Sequence, residues 1–204
     1  LSNSDILEIN GFAKDLPLSF VKAIWPDNLG KGARAWTNRS LFKGIISDLG
    51  FNSKFVFKKD GKLLFDPVIN LDFDFNDIEA HYLNNMPPIT DTLGKGHLDF
   101  QMFTIDLFDG CIDLEEGSRI YINNGKFNAF DIKKRHGPGQ IIIDASSNVG
   151  DFFYLLSKHN YISKLIKLDR DNLSGESSLI LQFDFPLKNS VKFSETKTNI
   201  NLNV

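Results

Sequence analysis

From Asn70 to Asn76 the chain alternates without a break, with Leu71, Phe73 and Phe75 on one side and Asp72 and Asp74 on the other. Successive side chains of a strand point to opposite faces, so this stretch makes one apolar face and one acidic face. The pattern recurs. Ile45, Ser47, Leu49, Phe51, Ser53, Phe55 and Phe57 hold one register, opposed by Asp48, Asn52 and Lys54. Leu179, Leu181, Phe183 and Phe185 repeat it up to Pro186, and Ile200, Leu202 and Val204 resume it in the tail. A chain patterned this way folds as a mainly β structure with one apolar sheet face. What covers that face becomes the question of function.

Punctuation between the alternating runs points to an antiparallel meander. Asp60-Gly61 predicts a hairpin turn followed by a strand from Lys62 to Phe65, which Asp66-Pro67 interrupts. Met86-Pro87-Pro88 predicts the turn between two strands lying within Asn70 to Phe100. Asp109-Gly110, Glu116-Gly117, Asn124-Gly125 and Gly137-Pro138-Gly139 predict further turns at short intervals. The apolar phase changes from Leu98, Phe100, Met102 to Phe103, Ile105, Leu107, as a β-bulge would produce.

Helical signals are few. Leu18 to Ile24 follows Pro17 and must stop before Pro26; a second candidate runs from Lys31 to Leu41. A third starts after Ser147 or Asn148 with Val149, Phe152, Phe153 and Leu156 on one side and His159 near its end, and Tyr161 to Leu168 continues it. The whole of 1–204 reads as one segment: an N-terminal strand with short helices over 1–43, the meander over 44–147, short helices over 148–170 and C-terminal strands over 171–204. Opening on Leu1 without a charged-then-apolar leader, it reads as a piece of a longer polypeptide.

A sheet of about ten strands is roughly 45 Å wide, whereas one helix covers about 10 Å. Leaving a dozen large apolar side chains in water would forgo about 1.5–3 kcal/mol each, more than the roughly 5–15 kcal/mol net stability of a domain. Two arrangements solve this. The sheet folds over into a closed β-sandwich, or it curls into an open trough whose lining is completed by ligand acyl chains. Periodicity leaves both open.

Catalytic patterns are missing from the sequence. Asp72 to Asp77 resembles a calcium loop, but Asp77 stands where Gly is required and Leu83 where the terminal Glu belongs. His81, His97, His136 and His159 lie in unrelated contexts without metal-ligand spacing. Glu115 and Glu116 are adjacent and point to opposite faces, and the Gly-Lys-Gly triplets at Gly30 and Gly94 read as turns. Cys111 alone can form neither an internal disulfide nor a Cys-rich zinc site and reads as a packing residue. Asn38-Arg39-Ser40 and Asn172-Leu173-Ser174 match glycosylation sequons, a context nothing else in the chain supports. A net charge of -3 with dispersed cations, clustered only at Lys133, Lys134, Arg135 and His136, argues against nucleic acid. No apolar run approaches the roughly 18 residues of a membrane span. The chain is therefore expected to be no enzyme and to need no cofactor or metal.

An ordered series of elements carries a resemblance. Trp25-Pro26 is followed by Ala33-Arg34-Ala35-Trp36 and Gly44 before the first long strand, then by Phe73 and Phe75 leading to Tyr82 and Met86-Pro87-Pro88-Ile89-Thr90. Gly94 and Gly96 open the next strand, and the helix Asp151 to Leu156, Gly175 and Phe185-Pro186-Leu187 complete the series. Over Leu18 to Leu187 the chain resembles the AsmA-like proteins of bacterial envelopes, most closely the middle region of the YhdP type. Asp27 departs from the second proline that many relatives carry after Trp-Pro. The resemblance implies a long, twisted, curled antiparallel sheet, an open taco-like groove, with two to four short helices. It implies phospholipid acyl chains as ligand, an inner-membrane anchor in the full-length chain, envelope proteins as partners and a periplasmic location. Under it Leu49, Phe51, Phe55, Phe57, Leu71, Phe73, Phe75, Phe100, Leu181 and Phe183 line the groove, which moves phospholipid between the two membranes. The alternative is a non-catalytic structural or assembly module with a closed β-sandwich core.

Overall fold

The computed structural model describes residues 4–27, 30–82, 86–158, 173–188 and 191–204. Nine antiparallel strands form one sheet in strict chain order: β1 (Asp5–Pro17), β2 (Ile45–Phe57), β3 (Val68–Asn76), β4 (Thr90–Leu98), β5 (Met102–Asp113), β6 (Arg119–Phe130), β7 (Pro138–Asn148), β8 (Glu176–Pro186) and β9 (Lys197–Asn203). Each strand pairs only with its chain neighbours, and the sheet is not closed, leaving β1 and β9 as its edges. Among the described residues three α-helices interrupt the meander: α1 (Leu18–Ile24), α2 (Lys31–Ser40) and α3 (Val149–Ser157).

Strict alternation gives the sheet two unlike ends. The connections after β1, β3, β5 and β7 fall at one margin, and they hold all three helices, the 77–89 segment and the short 3-10 turn Glu115–Gly117. The connections after β2, β4, β6 and β8 fall at the other and hold turns, with a short 3-10 turn at Phe193–Glu195. At the helix margin, α1 follows extended Pro17 and ends at Trp25, whose successor Pro26 cannot continue it. Lys22 of α1 donates to the Leu41 carbonyl at the end of α2, and burial lowers its pKa. Asn148 caps α3, its side chain accepting from the Gly150 amide at 3.0 Å.

The core sits at this helix margin. One cluster joins Ile112, Leu114, Ile120, Ile122 and Ala145 to Phe152 of α3; a second joins Ile46, Phe75 and Ile78, with Val21 of α1 packed against it. Among the described residues thirteen hydrophobic side chains are buried, and Ala129 is the one that lies toward the turn margin.

Several expectations need correction. Leu98 ends β4 and Met102 begins β5, so the phase change there is a hairpin turn at Asp99–Gln101 and not a bulge. The Asp99 carboxylate accepts from the Gln101 and Met102 amides at 2.7 Å, the local bonding that makes Asp a turn residue. A bulge occurs instead between Ile46 and Asp48, which turns Ile46 inward and leaves Ile45 exposed. Asp109-Gly110 and Asn124-Gly125 lie inside β5 and β6, where cross-strand bonding overrides local turn preference. Lys62 to Phe65 forms no strand beyond an isolated bridge between Leu63 and Phe57. Met86-Pro87-Pro88 is part of a longer connection closed by the Ala80–Ile89 bridge. His159 and the helix expected over Tyr161 to Leu168 lie outside the described residues.

Candidate functional site

Cross-strand register shows which side chains share a face. One row crosses all nine strands through directly opposed residues: Ala13, Leu49, Phe73, Gly96, Ile105, Phe127, Ile141, Phe183 and Thr198. The next row toward the turn margin runs Gly11, Phe51, Leu71, Leu98, Phe103, Ala129, Gly139 and Phe185. The next row toward the helix margin runs from Phe75 through Gly94, Leu107, Gly125, Ile143 and Leu181 to Ile200. Thr198 is the single polar member of these rows. Eight strand spacings of about 4.8 Å make this face roughly 38 Å from edge to edge.

The rows are uneven in height because large side chains oppose glycines. A Cβ at Gly96 would lie 2.1 Å from Cζ of Phe73, and one at Gly11 would lie 2.1 Å from Cε1 of Phe51. At Gly94 it would meet the Phe75 ring at 2.5 Å. The rings therefore lie down across the neighbouring strand, using the space a side chain would fill, in place of standing off the sheet. Laid flat they meet laterally: Phe73 stacks on Phe103 at 6.5 Å between centroids, and Phe103 meets Phe127 edge-on at 6.0 Å.

Nine of the ten sequence-predicted lining residues share this face: Leu49, Phe51, Phe55 and Phe57 on β2, Leu71, Phe73 and Phe75 on β3, and Leu181 and Phe183 on β8. Most are half-buried, but Phe75 is 5 % exposed and belongs to the core under α1. Phe100 does not share it. It lies in the β4–β5 turn, 44 % exposed, with Lys133 Nζ 3.2 Å from its ring centroid. Sequence reasoning missed the glycine seats. Gly94 and Gly96, read as turn residues, stand mid-strand opposite Phe75 and Phe73; the Phe-x-Phe and Gly-x-Gly spacings match, and that was the available signal.

The opposite face is mixed: exposed Ile6, Phe12, Phe108 and Ile180 stand among polar side chains that are cross-linked between strands. Lys54 pairs with Glu8 at 2.8 Å, Lys14 with Asp48 at 3.3 Å and Lys126 with Asp106 at 3.2 Å. Gln140 donates to Asp184 at 2.8 Å, and His97 Nδ1 lies 2.6 Å from Asp72, whose hydrogen bond raises the imidazole pKa. Such pairs fix register, since a slip by one residue would exchange the two faces.

Polar groups elsewhere among the described residues are engaged in local contacts. Burial raises the pKa of the Cys111 thiol, which lies 3.3 Å from the Thr90 hydroxyl and 3.2 Å from the Asp91 carboxylate. A thiol held protonated is a poor nucleophile. Glu115 accepts from Lys158 at 3.1 Å and from the Tyr154 hydroxyl. Tyr82 packs against the helix-margin core, and desolvation pushes its pKa up to about 12. Among the described residues no group of three His, Cys, Asp or Glu is placed to hold a metal ion, and no helix is long and apolar enough to cross a membrane. Set beside known proteins, the chain matches no protein-family model, no curated protein and no solved structure.

Proposed function

We propose that this chain is a lipid-binding segment of an AsmA-like protein of the bacterial periplasm, sheltering phospholipid acyl chains as they pass between the inner and outer membranes. The observation that carries this reading is the set of uncharged, mostly half-buried rows, one of which crosses all nine strands, with the described helices packed along one margin. An acyl chain laid on such a surface gains about 0.8 kcal/mol per buried CH₂. The laid-down Phe rings leave a low floor for it. Sheltering needs no proton or electron transfer, and direction of movement would have to come from partners or gradients elsewhere. The ordered series from Trp25-Pro26 to Phe185-Pro186-Leu187 supports the family assignment.

The test is native mass spectrometry of the protein purified from a bacterial envelope without harsh detergent, followed by lipid extraction. Phospholipid adducts are expected, and they should disappear in the Phe55→Asp, Phe183→Asp double variant while β content by circular dichroism is kept. Those positions avoid Phe75, whose substitution would damage the core. A lipid-free mass for the folded wild-type protein would overturn the reading. A second reading, an assembly module that recruits a strand, is favoured by β1: this edge strand spans 13 residues and exposes Ile6 by 58 % and Phe12 by 63 %. Lipid-free oligomers broken by Asn10→Pro would support it.

A further inference from the structure

The two margins differ in charge as well as in cover. The described turns after β2, β4, β6 and β8 carry eight Lys or Arg against five Asp or Glu, in a chain whose net charge is -3. The described connections at the helix margin are balanced, six against six. Backbone bonds lace the turns together: the Ile132 amide donates to the Gln101 carbonyl at 3.1 Å and the Leu187 amide to the Gly137 carbonyl at 2.8 Å. Lys133 spans from the Phe100 ring to Asp66, 3.9 Å away, tying the β6–β7 turn to the β2–β3 turn. Lys62, Lys134 and Lys188 are matched by Asp60, Asp131 and Glu195. Lys58, Lys59 and Arg135 are exposed and, among the described residues, face no carboxylate. Lys58 directly follows Phe57, the last lining residue of β2.

We infer that the turn margin favours phospholipids whose headgroup carries a net negative charge over zwitterionic ones, with the exposed cations Lys58, Lys59 and Arg135, set on two turns along that margin, meeting the headgroup while the acyl chains lie on the apolar face. The inference rests on the lipid-binding reading and adds the class of lipid. The helices occupy the other margin, so a headgroup leaves the apolar face over the turns, where unpaired cations meet it. Phosphate oxygens accept charge-assisted hydrogen bonds from such groups, and an unmatched cation has no internal bond to give up first.

The experiment incubates the whole chain with vesicles doped with phosphatidylglycerol, phosphatidylcholine or diacylglycerol of the same acyl composition, and counts one-to-one adducts by native mass spectrometry. Wild-type protein should retain phosphatidylglycerol about tenfold over both phosphatidylcholine and diacylglycerol. The Lys58→Ala, Lys59→Ala, Arg135→Ala variant should reduce that preference to within about twofold, as should about 0.5 M salt, with diacylglycerol adducts unchanged. A preference that survives the triple variant, or none in the wild type, overturns the inference and leaves the lipid-binding reading intact. Absence of every lipid adduct, diacylglycerol included, overturns both. Inorganic phosphate that displaces the phosphatidylglycerol adduct at micromolar concentration would assign the cations to a free anion and overturn the lipid source.

Discussion

Replacing Gly96 by Ala tests the floor of the apolar face. The new methyl would lie 2.1, 2.5 and 2.6 Å from three Phe73 ring atoms, far inside van der Waals contact, so the ring must lift off the strand. Overpacking of this kind costs about 1–3 kcal/mol, and loss of glycine entropy from the unfolded chain offsets about 0.4–1 kcal/mol of it. The net loss is about 0.5–2 kcal/mol, or roughly 2–6 °C in Tm for a chain of this length. Urea denaturation gives the free energy, with an unchanged m-value showing that the unfolded state is the same. The decisive measurement is the double-mutant cycle with Phe73→Ala. Without the ring the methyl has room, so Gly96→Ala should become neutral or mildly stabilising, a coupling of about 1–3 kcal/mol. Gly50→Ala is the control, because the nearest atom to its Cβ, the Asp72 carbonyl oxygen, is 3.9 Å away. Equal cost in both Phe73 backgrounds would refute the ring-on-glycine account.

Truncation should separate core from lining. Phe152→Ala, at a side chain 3 % exposed against α3's core cluster, is expected to cost about 3–5 kcal/mol, whereas Phe55→Ala on the half-buried face should cost about 1–2 kcal/mol by chemical denaturation. Comparable losses would mean that the apolar face is as well packed as the core. The pH dependence follows from His97, whose pKa is raised mainly by its hydrogen bond to Asp72. A raised folded-state value gives stability that is fully present below the unfolded pKa of about 6.5 and is lost as pH rises through the folded value. The Tm difference between wild type and His97→Gln should therefore be larger near about pH 5.5 than near about pH 8.5; a difference that does not vary with pH would exclude the charged pair.

The faces of the sheet were legible in the sequence because a period of two is a local property that tertiary contacts did not overturn. Leu49 to Phe57, Leu71 to Phe75 and Leu179 to Phe185 keep their alternation in β2, β3 and β8. Helix limits at Pro17, Pro26 and Asn148 were legible for the same reason: proline geometry and a side-chain cap act within a few residues. Turns were legible only in part. Asp109-Gly110 and Asn124-Gly125 have turn chemistry, but neighbouring strands on both sides hold them extended. Asp99–Gln101 does turn, and its Asp was hidden inside what looked like continuous apolar alternation through Phe100. Phe100 was misplaced by that same error. Whether the sheet closes on itself depends on long-range packing, and no periodicity encodes it.

Glycine placement and the one-sided helices constrain each other. In a sandwich, inner-face side chains stand up to interdigitate with a second sheet about 10 Å away, and a glycine opposite a large ring would leave a void there. Here Gly11, Gly94 and Gly96 are filled sideways by Phe51, Phe75 and Phe73, so the rings spend their bulk within the sheet. That choice yields a lower, smoother surface with little left to interlock with a second protein layer. Residues that do interlock, Ile112, Ile120 and Ile122 with Phe152, gather at the helix margin, where the chain supplies its own cover. The apolar face and the core are therefore continuous: Phe75 belongs to both, and Leu49, Phe73, Ile105, Leu107 and Ile143 of the rows pack against the buried clusters at the helix margin, so the fold is held most tightly there and the face loosens toward the turn margin.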